Sequence, residues 1–255
     1  MSDLRLRARS VSEIVDAAFQ LYRRDAPQYM LVTALAYAPW LAAQLLLLSA
    51  QGNTSAGSTA ASGLGFALAI GSWVAFSVMS AVIIRFGSDA YLTGGHPDLG
   101  NAFRQVLPRV PAIMGAAILL SFLVVIGFLA LIVGAFYVLA RYFAIVQAIV
   151  LEDKGIGEAF SRSSELSKGR KRHVLNTLLL VFLIFFVLSI AVQMVAAMFG
   201  SEVLSTVLQT LFTIVAYPLI GIAQMLLYYD ARIRAEGFDI EMMAGALGPA
   251  GGVAS

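Results

Sequence analysis

The sequence predicts an all-α, polytopic integral membrane protein, and three observations predict it. Apolar residues make up 60% of the chain and charged ones only 13%, against about 45–50% and about 25% in soluble domains. Uncharged runs recur near 29–50, 63–84, 110–151, 174–199 and 203–229, and a bilayer core about 30 Å thick needs about 20 apolar residues per helix. Basic residues fall almost wholly in alternate connections between these runs.

Taken in order, the runs give six transmembrane helices. The third, Val110 to Leu151, holds 42 residues with Arg141 as its only charge. As one helix it would extend roughly 63 Å, so it folds back near residues 131–134 and counts twice.

Charge sets the orientation. Arg5, Arg7, Arg9, Arg23 and Arg24 precede the first span, and Arg85, Arg104 and Arg109 lie between the second and third. Lys154, Arg162, Lys168, Arg170, Lys171 and Arg172 lie between the fourth and fifth, and Arg232 and Arg234 follow the sixth. That places 16 of the 17 Lys and Arg on one side, Arg141 excepted, while the opposite connections carry only Glu202. The positive-inside rule then puts both termini in the cytoplasm, in a bacterial inner membrane, with the first span as the insertion signal and no removable leader expected.

The cytoplasmic segments have helical periodicity of their own. Val11, Ile14, Val15, Ala18, Phe19 and Tyr22 share one helix face, with a capping box from Ser10 and Glu13 at its start. Leu99, Ala102, Phe103, Val106 and Leu107 repeat that spacing, and Ile156, Ala159 and Phe160 begin it again, with Ser163 and Ser164 weakening the apolar face. Three interfacial amphipathic helices are thus expected at about 11–24, 98–108 and 156–168. Aligned on their Ala-Phe pairs, the three segments each pass through basic residues into a span; Pro27 and Pro111 correspond, and Lys168 stands at the third position. A threefold repeat of interfacial helix plus hairpin accounts for this, and so do the common physical demands of every inside-to-membrane junction. Residues 1–244 form one membrane domain, 51–62 an external Gly/Ser/Thr loop, and 245–255 a disordered tail.

Few residues carry chemistry. Zero cysteines exclude thiolate and disulfide chemistry, and His96 and His173 alone make no metal site, so no cofactor is expected. Glu152, Asp153, Glu158 and Glu165 read as solvated surface charge. Arg141, ten residues before the end of its run, is expected near the midplane. There it serves either as a tie to amide or carbonyl groups, with Gln224, Asp89 and Asp230 as polar partners, or as a contact for an anion or lipid phosphate. Lys168, Arg170, Lys171 and Arg172 form a membrane-surface cluster that attracts anionic lipid. Ala67, Gly71 and Ala75 form a small-residue stripe suited to helix packing, and Pro39 and Pro218 interrupt two spans.

The runs LLYYDARIRAEGFDIEMMA, 226–244, LEDKGIGEAFSRSSELSKGR, 151–170, and RARSVSEIVDAAFQLYRRDAPQYM, 7–30, resemble the membrane domain of the glycerophosphoryl diester phosphodiesterase family. The resemblance rests on Tyr228, Tyr229, Asp230, Arg232, Arg234, Glu236, Gly237, Phe238 and Asp239, and on Arg141; Ser164 and Gln147 depart from it, standing where relatives carry an aromatic residue and a proline. It implies a stand-alone relative without the family's soluble catalytic barrel, so no hydrolytic residues carry over. The leading expectation is a non-enzymatic membrane module, a scaffold or a binder of lipids, anionic headgroups or a membrane-protein partner, with no nucleic acid. The alternatives are a transporter or channel for a small or anionic solute with Arg141 in the path, and a lipid-modifying membrane enzyme.

Overall fold

Period-3.6 patterning and the absence of strand alternation leave the chain only helices to form. The computed structural model describes residues 7–50, 58–130 and 132–237, with side chains at all of these except 43, 46–50, 58–69, 130 and 132. No strand occurs among the described residues. Most of the 51–62 loop, the side chain of Ala67, Phe238, Asp239 and the 245–255 tail lie outside them.

Helix α1, Val11–Arg24, starts where Ser10 Oγ accepts from the Glu13 amide and the Glu13 carboxylate accepts from the Ser10 amide at 2.7 Å, closing the capping box. Much of its apolar face packs on protein. Ile14, Ala17, Ala18, Leu21 and Tyr22 are buried, against α9 and α10, and Phe19 is left 41% exposed. The chain turns at Asp25 into α2, Ala26–Ala50, with Pro27 in the first turn, where its missing N–H costs nothing.

Helix α3, Ser58–Thr93, overruns its apolar stretch by several residues. Arg85 and Asp89 end the hydropathy but not the helix, because they pair with each other one turn apart at 3.0 Å. Asp98 accepts from Gly100 and caps the short α4, Leu99–Val106; a 3-10 turn over Leu107–Arg109 then leads into α5, Val110–Ala130. The long apolar run folds back on itself, with α5 packed against α6, Ile132–Arg141. Glycine makes this close return possible, since a Cβ on Gly127 would meet the carbonyl carbon and oxygen of Gly134 at 2.9 Å.

The chain breaks after Arg141, continues as α7, Ile145–Leu151, and then forms α8, Ile156–Leu166. Two long helices follow, α9, Lys171–Ala197, and α10, Glu202–Glu236, the latter closed by left-handed Gly237 at φ 66°. Helix α10 is the axis of the fold, touching α1, α2, α3 and α9 and burying most of its last three turns. Five stretches among the described residues are long and apolar enough to cross a membrane: Ile70–Thr93, Leu99–Leu129, Val133–Leu151, Lys171–Ala197 and Glu202–Glu236. This is the architecture of a multi-pass membrane protein.

The three short amphipathic helices differ in their fixing. In α4 Ala102 and Val106 are buried, with Phe103 packed on the core, and in α8 Phe160 meets the Tyr142 ring edge-on at 5.0 Å. Part of each apolar face is thus packed on protein, while Leu107, just after α4, is left 59% exposed. Gly71, expected on a packing stripe, is exposed, and a Cβ there would meet nothing within 4 Å.

Candidate functional site

The last turns of α10 carry Tyr228, Tyr229, Asp230, Arg232, Arg234 and Glu236, and each has a polar partner. Asp230, 2% exposed, accepts from the Arg9 backbone amide at 2.7 Å, from Arg234 Nε at 2.9 and 3.0 Å, and faces His173 Nε2 at 3.0 Å. Arg234 Nη2 donates in turn to the Arg9 carbonyl at 2.7 Å, and Arg9 Nη1 to Tyr91 Oη at 2.7 Å. Tyr229 Oη and Ser88 Oγ share a hydrogen bond at 2.6 Å. One buried carboxylate thereby joins the chain's start to α3, α9 and α10.

A second cluster adjoins it. Tyr228 Oη donates to Glu152 Oε1 at 2.7 Å, and Arg162 grips the same carboxylate with Nε at 2.7 and 2.9 Å and Nη2 at 2.9 Å. Arg162 also pairs with Glu236, which Arg232 reaches at 3.1 Å. Burial works to raise the Glu152 carboxyl, but the Arg162 and Tyr228 hydrogen bonds outweigh it and hold the group below the usual glutamate range. Glu152 is therefore a structural ion rather than surface charge. Its neighbours fit the surface reading better: Asp153 pairs with Arg109 at 2.7 Å while 78% exposed, Glu158 caps Gly155, and Glu165 approaches Arg162 at 3.7 Å.

Arg141 lies within the apolar stretch Val133–Leu151, where the helix breaks. One turn before it, Tyr137 accepts from Lys171 Nζ at 2.9 Å, at the start of α9. Its Nε donates to Ser164 Oγ at 3.0 Å and its guanidinium stands 5.4 Å from the Tyr142 ring centre. The partners expected for it are engaged elsewhere or distant in role: Asp89 with Arg85, Asp230 in the hub, Gln224 in an apolar groove. The two serines that interrupt the apolar face of α8 explain the break instead. Ser163 Oγ accepts from the Ala144 amide at 3.0 Å and donates to the Arg141 carbonyl at 3.2 Å, satisfying backbone groups that a helix end leaves open.

The surface cluster divides. Lys171 is held by Tyr137, and Arg170 donates to the Arg234 carbonyl. Lys168 and Arg172 have no side-chain partner among the described residues. His96, exposed, pairs with buried Asp25 at 2.8 Å, as does Arg24 at 2.9 Å. Among the described residues no three His, Asp or Glu side chains come together in a form that would hold a metal ion.

Helix α9 packs on α10, α6 and α1, yet none of its most apolar stretch is buried. A groove of about 460 Å³ runs between it, α6 and α10, lined by Phe136, Leu178, Phe182 and Gln224 among others. Another of about 390 Å³ runs between α1, α9 and α10, lined by Val15, Phe19, Phe185, Phe212 and Ala216, with Arg23 at its rim. Both volumes fall within the range of about 300–1,000 Å³ usual for ligand sites. Arg23 is exposed and has no acceptor among the described residues. No protein-family model matches this chain, and neither a curated protein nor a solved structure does.

Proposed function

We propose that this chain is a non-enzymatic, six-span module of a bacterial inner membrane that holds an anionic lipid in its own bundle. The observation that carries this reading is the apolar groove between α1, α9 and α10, which has Arg23, an exposed cation without an acceptor among the described residues, in its lining. An acyl chain suits the lining, and a phosphate suits a guanidinium, which presents a planar fork of donors. The charges of the hub, in contrast, are already spent on one another. Helix α2, 25 residues long, serves as the sixth span. The hub end faces the cytoplasm, in keeping with 16 of 17 basic residues on that side. We read the chain as three helix-plus-hairpin units and as akin to the membrane domain of the glycerophosphoryl diester phosphodiesterase family, whose Tyr-Tyr-Asp and Arg-x-Arg pattern coincides with the hub.

The experiment is native mass spectrometry of protein released from nanodiscs containing equal phosphatidylcholine and phosphatidylglycerol. Preferential retention of phosphatidylglycerol, lost in Arg23→Ala, kept in part in Arg23→Lys and lost again when Ala216→Trp fills the groove, is the expected result. Equal retention of both lipids, or retention indifferent to these variants, overturns the reading.

A further inference from the structure

At the end of the bundle opposite the hub, α2, α9 and α10 line an open cavity of about 340 Å³ whose walls include Tyr37, Trp40, Gln44, Gln193, Ser205 and Gln209. Gln209 precedes Asp230 by 21 residues on the same helix, a rise of roughly 31 Å, so about one hydrocarbon thickness separates the two sites. Three primary amides, one from each helix, meet in this hollow. Their hydrogen bonds are nearly all unspent: Gln193 Nε2 reaches Ser205 Oγ at a long 3.4 Å, Gln44 has no partner among the described residues, and Gln209 Oε1 is buried without a donor.

An unsatisfied amide oxygen away from water is unfavourable unless something else completes it. Neighbouring hydroxyls do not, because Thr206 and Thr210 donate to their own helix four residues back. No charged side chain lines the cavity, so its chemistry suits an uncharged ligand with several donors and acceptors. Trp40 adds an aromatic face.

We propose that this cavity binds a neutral polyhydroxylated group such as a sugar ring, either as the headgroup of a lipid in that leaflet or as a free solute. Its hydroxyls hydrogen-bond to the Gln44, Gln193 and Gln209 amides, the Gln209 amide turning its buried Oε1 toward the cavity, while the C–H face of the ring lies on Trp40. The site is distinct from the groove beside Arg23, with which it shares no lining residue and from which it differs in having no charged side chain.

The chain has two tryptophans, Trp40 and Trp73, so Trp73→Phe leaves Trp40 as the sole fluorescent reporter. In phosphatidylcholine nanodiscs, monoglucosyl diacylglycerol is titrated in one arm and soluble methyl glucoside in the other, following Trp40 emission. A saturable change is expected, weakened tenfold or more by Gln209→Leu and by Gln44→Leu, with thermal stability of Gln209→Leu equal to or above the parent. Saturation with the glycolipid alone assigns a headgroup, and saturation with the glucoside as well assigns a solute site. A response that is absent or linear for both probes, or that both leucine variants leave unchanged, overturns the proposal and leaves Trp40 and Tyr37 as interfacial anchors only.

Discussion

The carboxylate of Asp230 accepts a hydrogen bond from the backbone amide of Arg9 at 2.7 Å, across 221 residues of chain. Asp230 is 2% and Arg9 3% exposed, so this contact anchors Arg9 in the interior while Arg7, Ala8 and Ser10 around it stay exposed. Removing the carboxylate leaves Arg234, His173 and the Arg9 amide facing a vacancy. Breaking a buried pair from one side costs about 3–5 kcal/mol, and Asp230→Ala should lose about that much stability. Limited trypsin digestion gives a local readout: cleavage after Arg9 should be slow in the parent and fast in the variant. Unchanged protection at Arg9 would show that the segment is held by other means.

Glu152 makes a pH prediction. Its folded value is depressed by Arg162 and Tyr228, so the stability it contributes is complete above the unfolded glutamate value of about 4.3. It is lost as pH falls through the depressed folded value. The melting temperature in nanodiscs should therefore fall with acidification below that point, and Glu152→Gln should flatten part of the slope while lowering stability at neutral pH. A parallel acid limb in the two proteins would mean that Glu152 keeps its proton balance on unfolding.

Some of this arrangement is legible in the sequence and some is not, for physical reasons. Helical class, the return of the chain near residue 131 and the Ser10–Glu13 capping box rest on local patterns, and local patterns persist in the fold. The surroundings of Arg141 are not legible. An apolar run counts Ile145–Leu151 as lipid-facing, whereas Ile145, Ala148, Ile149 and Val150 are buried in protein, so hydropathy does not say which residues of a run meet lipid and which meet protein. Ser163 and Ser164 look like flaws in an amphipathic face until the helix break they bond to is in view. Glu152 and Asp153 are neighbours of like composition and opposite fate, decided by which of them meets α10. The Gln44, Gln193 and Gln209 cluster vanishes in hydropathy averages, because three isolated amides hardly lower the mean of three apolar helices.

The close approach of α5 and α6 at Gly127 and Gly134 gives a pair of glycine tests with opposite signs. Gly134→Ala must push α6 away from the Gly127 carbonyl and should cost about 1–3 kcal/mol as an overpacking change. Gly71→Ala meets nothing within 4 Å and should stabilise its helix by about 0.5–1 kcal/mol through lower backbone entropy. Thermal unfolding of both variants in the same lipid checks the contrast. Equal effects would mean that α5 and α6 separate at Gly127 without penalty.

The last test concerns the joint between α6 and α8. Ser163 is fully buried and serves two backbone groups, the Ala144 amide and the Arg141 carbonyl, so Ser163→Ala strands both and should cost about 1–3 kcal/mol. Ser164 serves only the Arg141 side chain, whose partial exposure lets water replace the lost bond. Ser164→Ala should accordingly cost no more than about 0.5–1.5 kcal/mol, and Arg141→Leu a similar amount. If these two residues act through each other, the double variant should lose less than the sum of the singles, with a coupling of about 0.5 kcal/mol or more. Thermal stability is one axis of the measurement and retention of phosphatidylglycerol the other. A bundle tie moves stability and leaves lipid retention at the parent level. If Arg141→Leu instead sheds lipid without moving the melting temperature, Arg141 belongs to an anion site and its bond to Ser164 is incidental.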